Sequence, residues 1–362
     1  MLITTACFVA WLFIVLPCAL YLVSDAGWRD RRQRIFTYFN PAVVKLYFTV
    51  YFPSLDILKE SDPQLTDRFK KHYGRYYGRR HYIVPLILLS IISALGLFVV
   101  SESLKQWYGS TTNHFAASPV VVSSFLGAFT WVTSDQIARF RRRDWTSSDV
   151  YKGTFRFLIA VPFGYSLAAF ANKDFGIAIG FLLGAFPTET LFKISRRLLG
   201  QKLGLGEDAD SGTSELEMLQ NIGKTNAEKF YDEGITTITE LAWTDPVHLS
   251  VRTNFDFEYV VDCMSKALLA VYVGKSIKKL ARFSLRGAQE ATTLLSLVDN
   301  PSASAEKTRA TQALKEAANV LGVKVDTLHH TLSSVADDPY TKFLAKIWNK
   351  IFANVAVIEQ LD

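Results

Sequence analysis

Tyr82–Val100 reads YIVPLILLSIISALGLFVV, nineteen residues without a charge. As an α-helix such a run is about 28 Å long, enough to cross a hydrocarbon core of about 30 Å. It has no turn signal and no alternating polar face, so a membrane-spanning helix is its simplest reading. Before it, Met1–Ser24 is also uncharged, and Asp25 is the first ionisable side chain. No basic residue precedes that first run, as a cleaved signal peptide would need, so residues 6–23 are expected to remain as a first span. After it, residues 116–133 form a third uncharged run, and two shorter runs, 157–171 and 175–192, flank Asn172-Lys173-Asp174. The expectation is an all-α chain with a polytopic membrane domain of about five spans over 1–200. Three spans followed by a re-entrant hairpin, with Pro162 and Pro187 breaking the short helices, is the alternative.

Loop charge orients these spans. Residues 25–80 contain twelve Lys and Arg, whereas the next loop has only Lys105. Arg139, Arg141, Arg142, Arg143, Lys152 and Arg156 precede the fourth span, and Lys173 alone follows it. Rich and poor loops alternate as the positive-inside rule requires. The N-terminus is therefore expected outside and the C-terminal part in the cytoplasm of a bacterial-type inner membrane.

Within the first basic loop, residues 36–58 are aromatic and apolar but are interrupted by Pro41, Lys45, Pro53 and Asp56. With basic flanks on both sides, this stretch is expected to lie in the lipid headgroup layer. Tyr76, Tyr77, Arg79 and Arg80 abut the second span as an anchor to the anionic cytoplasmic leaflet; specific lipid or nucleic-acid recognition is the sharper reading. Gly176, Gly180 and Gly184 recur every four residues and expose one small face, which lets a second helix approach closely. That helix could belong to the same chain or to another subunit.

The whole chain of 362 residues carries a formal charge of +6, yet no region is described by that figure. Residues 1–200 hold 23 basic and 12 acidic side chains, and residues 201–362 hold 17 and 22. A basic membrane half thus precedes an acidic half. The 49% hydrophobic content and the three cysteines point away from disorder and from a disulfide scaffold.

Residues 201–214 read as a linker, and 215–362 show helical periodicity without alternating strand patterns. Leu216-Glu-Met-Leu219-Gln-Asn221-Ile222-Gly223-Lys224-Thr-Asn-Ala227 resembles the helix-hairpin-helix family. Leu216, Leu219, Ile222, Gly223 and Ala227 match its pattern, and Asn221 stands where the family has glycine. Asparagine tolerates a left-handed backbone better than most residues. The resemblance implies a turn, Asn221 to Lys224, whose backbone N–H groups can hold a phosphate or seat a protein partner. Val273-Gly-Lys-Ser276 echoes Ile222–Thr225, and Ser284–Glu290 echoes Gly234–Glu240 fifty residues on, so an internal duplication over about 216–300 is expected.

Phosphate binding by a polymer needs cations. The first copy is crowded by Glu215, Glu217, Glu228, Asp232 and Glu233. Lys275, Lys278, Lys279, Arg282 and Arg286 form a basic patch in the second copy alone. A homo-oligomer or protein partner is therefore preferred over nucleic acid for 215–362. Gly223-Lys-Thr and Gly274-Lys-Ser lack the earlier glycine of a phosphate loop, those places being Met218 and Leu269. No cysteine pair, histidine cluster, nucleophile elbow or carboxylate pair has catalytic or metal-binding spacing. The expectation is a non-enzymatic chain without metal or cofactor. Two other functions stay open: an oligomeric pore or membrane-disrupting effector triggered through the cytoplasmic part, and a nucleic-acid tether at the membrane.

Overall fold

Long apolar runs without helix breakers at their centres build the two longest N-terminal helices, α1 (Leu2–Val23) and α5 (Arg80–Tyr108). The computed structural model describes residues 2–57, 60–109, 114–168, 173–186, 215–302 and 304–358. Among these the chain is all-helical, with no strand. It divides into two units, one formed by Met1–Arg32 with Tyr76–Ser211 and the other by Gln33–Arg75 with Gly212–Asp362.

The first unit adds α6 (Pro119–Arg142), α7 (Ser147–Ala168) and α8 (Lys173–Ala185) to α1 and α5. Ser118 caps α6 with Pro119 at its first position, and the helix ends at left-handed Arg143 after a basic last turn. Helices α6, α7 and α8 pack on one another, α5 lies along α7, and α1 lies against α5 and α6.

This bundle is apolar outside as well as inside, with Leu89, Val132 and Trp145 among its buried side chains. Except for Trp243, Tyr272, Val320 and Val323, every exposed large apolar side chain among the described residues lies in the first unit, as with Leu95 at 61% and Phe8 at 57% exposure. Its interior holds Ser93, Ser103 and Ser124, fully buried. Gly184 and Gly127 face each other where α8 meets α6. A Cβ on Gly184 would lie 2.1 Å from the Ser124 carbonyl oxygen, and one on Gly127 would lie 2.1 Å from that of Phe181. Only glycine permits so close a backbone approach.

Two helical stretches, Ile3–Tyr38 and Asp62–Tyr108, are long and apolar enough to cross a membrane. The other three expected spans do not meet that measure. Helix α6 is rich in Ser and Thr and ends in charge, α7 begins with a polar third, and the 13 residues of α8 reach only about 20 Å. Residues 187–192 of the expected fifth span, and the linker 201–214, lie outside the described residues.

The second unit changes the expected domain boundary. Residues 36–58 were expected at the headgroups; instead α3 (Pro41–Tyr51) buries Val43, Val44, Tyr47 and Phe48 against C-terminal helices and leaves Lys45 exposed. Asn40 caps this helix by accepting from the Val43 N–H at 2.9 Å. Phe39 stacks on Phe69 of α4 (Asp62–Tyr77) at 4.3 Å, and Tyr47 meets Phe343 at 6.0 Å. The Tyr47 hydroxyl donates to Asp245 at 2.7 Å. Aromatic surface that could have rested on lipid is thereby satisfied by protein, which is why 33–75 belongs with 212–362.

At the centre of this unit runs α12 (Phe257–Val273), buried almost throughout from Val260 to Ala270. Around it lie α9 (Lys224–Asp232), α10 (Ile238–Trp243), α11 (Pro246–Thr253), the short α13 (Ile277–Leu280), α14 (Ala288–Val298), α15 (Ala305–Leu321), α16 (Val325–Asp337) and α17 (Pro339–Ile358). Asp338 caps α17 by accepting from the Tyr340 N–H at 2.8 Å, and Phe343 and Ile347 of its apolar stripe are buried. The side chains of Ile351 and Phe352 lie outside the described residues.

Candidate binding cleft

The first hairpin turn owes its shape to two residues. Asn221 adopts φ 71°, a left-handed conformation that asparagine tolerates, and Gly223 is the N-cap of α9. Tyr259 of α12 braces the turn: its hydroxyl donates to the Asn221 carbonyl at 2.9 Å and accepts from Asn226 at 2.7 Å. Downstream, left-handed Gly234 leads to a capping box in which Glu240 accepts from the Thr236 and Thr237 N–H groups at 2.7 and 3.0 Å. These bonds hold the Glu240 carboxyl below the usual carboxylate range.

The segment fifty residues on, expected from the sequence as a second copy, has a comparable course. Ser284 is left-handed where Gly234 is, Gly287 caps α14 where Thr237 caps α10, and buried Leu280 and Ala291 stand for Phe230 and Leu241. Its first helix is shortened to α13 between two 3-10 turns, Gly274–Ser276 and Ala281–Phe283.

The two copies face one cleft of about 520 Å³. Asn221, Ile222 and Gly223 form one wall, and Lys278 and Arg286 belong to the other, with Lys266 of α12 also lining it. Arg286 is held in place by its neighbour: a Cβ on Gly287 would lie 2.6 Å from Ser265 Oγ and 3.1 Å from the Lys266 nitrogen, so the start of α14 sits hard against α12. Hairpin turn and basic patch, separate in sequence, thus share a site.

Not every expected site residue joins them. Lys224, Lys279 and Arg282 are exposed and do not line the cleft, and the Lys275 side chain lies outside the described residues. Lys266 is the residue that sequence reasoning missed. It is buried and paired with Asp262 one turn earlier. A lone lysine inside the apolar run Val260–Ala270 was the available signal.

The other expected groups fall in the first unit. Gly176, Gly180 and Gly184 are buried, and the helix that approaches Gly180 and Gly184 is α6 of the same chain, through Ser123, Ser124 and Gly127. Arg156 is fully buried beside them. It donates to the carbonyls of Leu183 at 2.8 Å and Gly184 at 2.6 Å, closing the C-terminal end of α8, and lies 5.6 Å from the Trp131 ring centre. Among the anchor residues Tyr76 and Arg80 are exposed, whereas Tyr77 is buried and accepts at its carbonyl from Trp28 Nε1 at 3.0 Å. Arg79 stands 5.0 Å from the Trp28 ring centre.

No group of three or more metal-ligating side chains occurs among the described residues. His329 points at Asp299, 3.0 Å away, and the cysteines are free. An apolar groove of about 850 Å³ runs between α1 and α6, but only Thr5 and Thr133 bring polar side chains to it. No family model matches the chain, and no curated protein or solved structure is similar to it.

Proposed function

We propose that the chain is a non-enzymatic integral membrane protein whose second unit is a cytoplasmic binding and assembly domain. The observation that carries this reading is the apolar exterior of the first unit, where large apolar side chains face outward over an interior that is also largely apolar. In water such a surface would cost about 25 cal/mol for each Å² of apolar area left exposed, whereas in a bilayer it is solvated. The contrast with the second unit, where apolar side chains are buried, supports two solvents for one chain.

The composition of the second unit adds a parity argument. Residues 33–75 and 215–358 contribute to one unit, so they lie on the same side of any bilayer. A chain that crosses in α5 must therefore return through α6–α8 an odd number of times. Five spans satisfy this, as do three spans followed by a re-entrant pair. The basic loops support a cytoplasmic side for both parts of the second unit. Because α6 already fills the small-residue face of α8 at Gly180 and Gly184, that face supports packing within the chain more than a pore between subunits.

The test labels single cysteines with a membrane-impermeant maleimide in sealed vesicles, after replacement of Cys7, Cys18 and Cys263. Reporters are Ser61→Cys, Ser302→Cys and His114→Cys, all at exposed positions. Reporters 61 and 302 should react together and 114 on the opposite face. Labelling of 61 and 302 from opposite faces would sink the proposal. Native mass spectrometry of the full chain, alone and after affinity capture, reads self-association and partners.

A further inference from the structure

Lys278 and Arg286 point to what the cleft receives. Neither has a carboxylate partner among the described residues, yet both line one cavity with the first hairpin turn. Two cations that line one cavity and are not ion-paired within it give a positive potential that favours an anionic group there. Met218, Leu219, Ile222 and Ile277 supply apolar lining, and Gln220 and Asn221 add polar groups. Glu217 also reaches it. The volume of about 520 Å³ is that of a small-molecule site.

We propose that the cleft between the first hairpin turn and the second copy binds one compact phosphate ester of about mononucleotide size. Its phosphate pairs with Lys278 and Arg286, its flat or apolar part covers Met218 and Ile222, and Glu217 accepts from a hydroxyl or amino group. Arg286 and Lys278 supply the charge-assisted hydrogen bonds that such a group needs. A nucleic-acid polymer fits less well. A polymer extended past the turn would also meet the carboxylates of Glu215 and Glu228, on either side of it in sequence, which repel phosphates. A small molecule does not extend that far. Lys266 is already neutralised by Asp262, so it positions the wall and does not add a third open charge.

This inference deepens the binding role proposed above, and it concerns the second unit whether or not the first unit crosses a bilayer. The chain offers its own reporters, because Met218 lines the cleft whereas Met264 is fully buried in α12. The full chain, labelled with methionine ¹³C-methyl groups in phosphatidylcholine nanodiscs, is titrated with AMP, inorganic phosphate and adenosine. The Met218 methyl should shift saturably with AMP, weakly with phosphate and not with adenosine, while Met264 stays fixed. The exposed double substitution Lys278→Glu/Arg286→Glu should weaken AMP by about a hundredfold, as expected for two charge-assisted contacts of about 1.4 kcal/mol or more each. An unmoved Met264 resonance shows that the variant is folded.

Discs doped with phosphatidylglycerol and given no AMP distinguish the source. A Met218 shift there, lost in the double variant, supports the cleft and assigns its phosphate to a lipid headgroup. Equal binding of adenosine, an undiminished response in the double variant, or silence of Met218 toward every phosphate probe would overturn the proposal. So would a duplex oligonucleotide that acts at lower phosphate concentration than AMP. Failure of membrane insertion or self-association is read by the maleimide and mass measurements and leaves this titration intact.

Discussion

Replacing Phe48 by alanine tests whether the segment between the first two apolar helices is part of the second unit's core. Phe48 is fully buried, and its ring lies 5.5 Å from His72, 6.0 Å from Phe52 and 6.4 Å from Phe69, centre to centre. Phe→Ala at such sites costs about 3–5 kcal/mol through lost burial and the cavity left behind. The loss of several edge-on aromatic contacts favours the upper part of that range. Taking about 4 kcal/mol, the opening equilibrium of the unit rises about a thousandfold. Small domains have about 5–15 kcal/mol in all, so the variant stands near the limit of folding. The readout is amide hydrogen exchange in α12, more than 200 residues away in sequence, measured on the full chain in detergent micelles. Phe48→Ala should accelerate exchange across Val260–Ala270 by about three orders of magnitude. Phe8→Ala, at an exposed position of α1, should leave it unchanged. If Phe48 lay at a lipid surface, its removal would weaken membrane affinity and leave α12 alone. A change smaller than about tenfold in α12 would therefore refute the assignment of residues 33–75.

Two further outcomes follow from individual contacts. Gly184→Ala forces α6 and α8 apart by about 1 Å, since its Cβ meets the Ser124 carbonyl oxygen at 2.1 Å; a loss of about 1–3 kcal/mol in the first unit is expected, with the second unit unchanged in a two-transition thermal melt. His72 and His248 are both held below the ordinary histidine pKa, by burial first and by Arg75 and Arg252 second. A base with a depressed folded pKa makes the unfolded chain bind more protons, so the second unit is most stable above about pH 6.5 and loses stability as pH falls toward the folded values. His72→Phe keeps the aromatic contact and should flatten that slope in denaturant midpoints; a slope equal to that of the unsubstituted chain would remove His72 as its source.

Several elements were legible in the sequence because their causes are local. The α5 run needs no partner to be recognised, Asp338 before Pro339 caps α17 as the residue types require, and Asn221 takes the left-handed turn that glycine would take. Residues 234 and 284, whose fifty-residue spacing was read from the sequence, are both left-handed. What escaped was decided by residues far along the chain. Phe39, Tyr47 and Phe48 have the same composition whether they face headgroups or Phe69 and Phe343, and only the second environment is contributed by α4 and α17. The run 116–133 was read by its lack of charge alone, and nothing local showed that Ser123 and Ser124 are interior contacts for the glycines of α8. The basic patch and the hairpin turn were each found, but their shared cleft depends on how α13 and α14 pack on α12.

The composite second unit also imposes an order on synthesis. Tyr47 precedes its hydrogen-bond partner Asp245 by 198 residues. At about 5–20 residues per second, roughly 10–40 s pass before that partner leaves the ribosome. For that interval the aromatic face of α3 has Phe69 and His72 of α4 against it but lacks the cover of Asp245 and Phe343. The nascent chain therefore carries a partly uncovered apolar helix between two long apolar helices in sequence, and the last helices made close a core begun near its start.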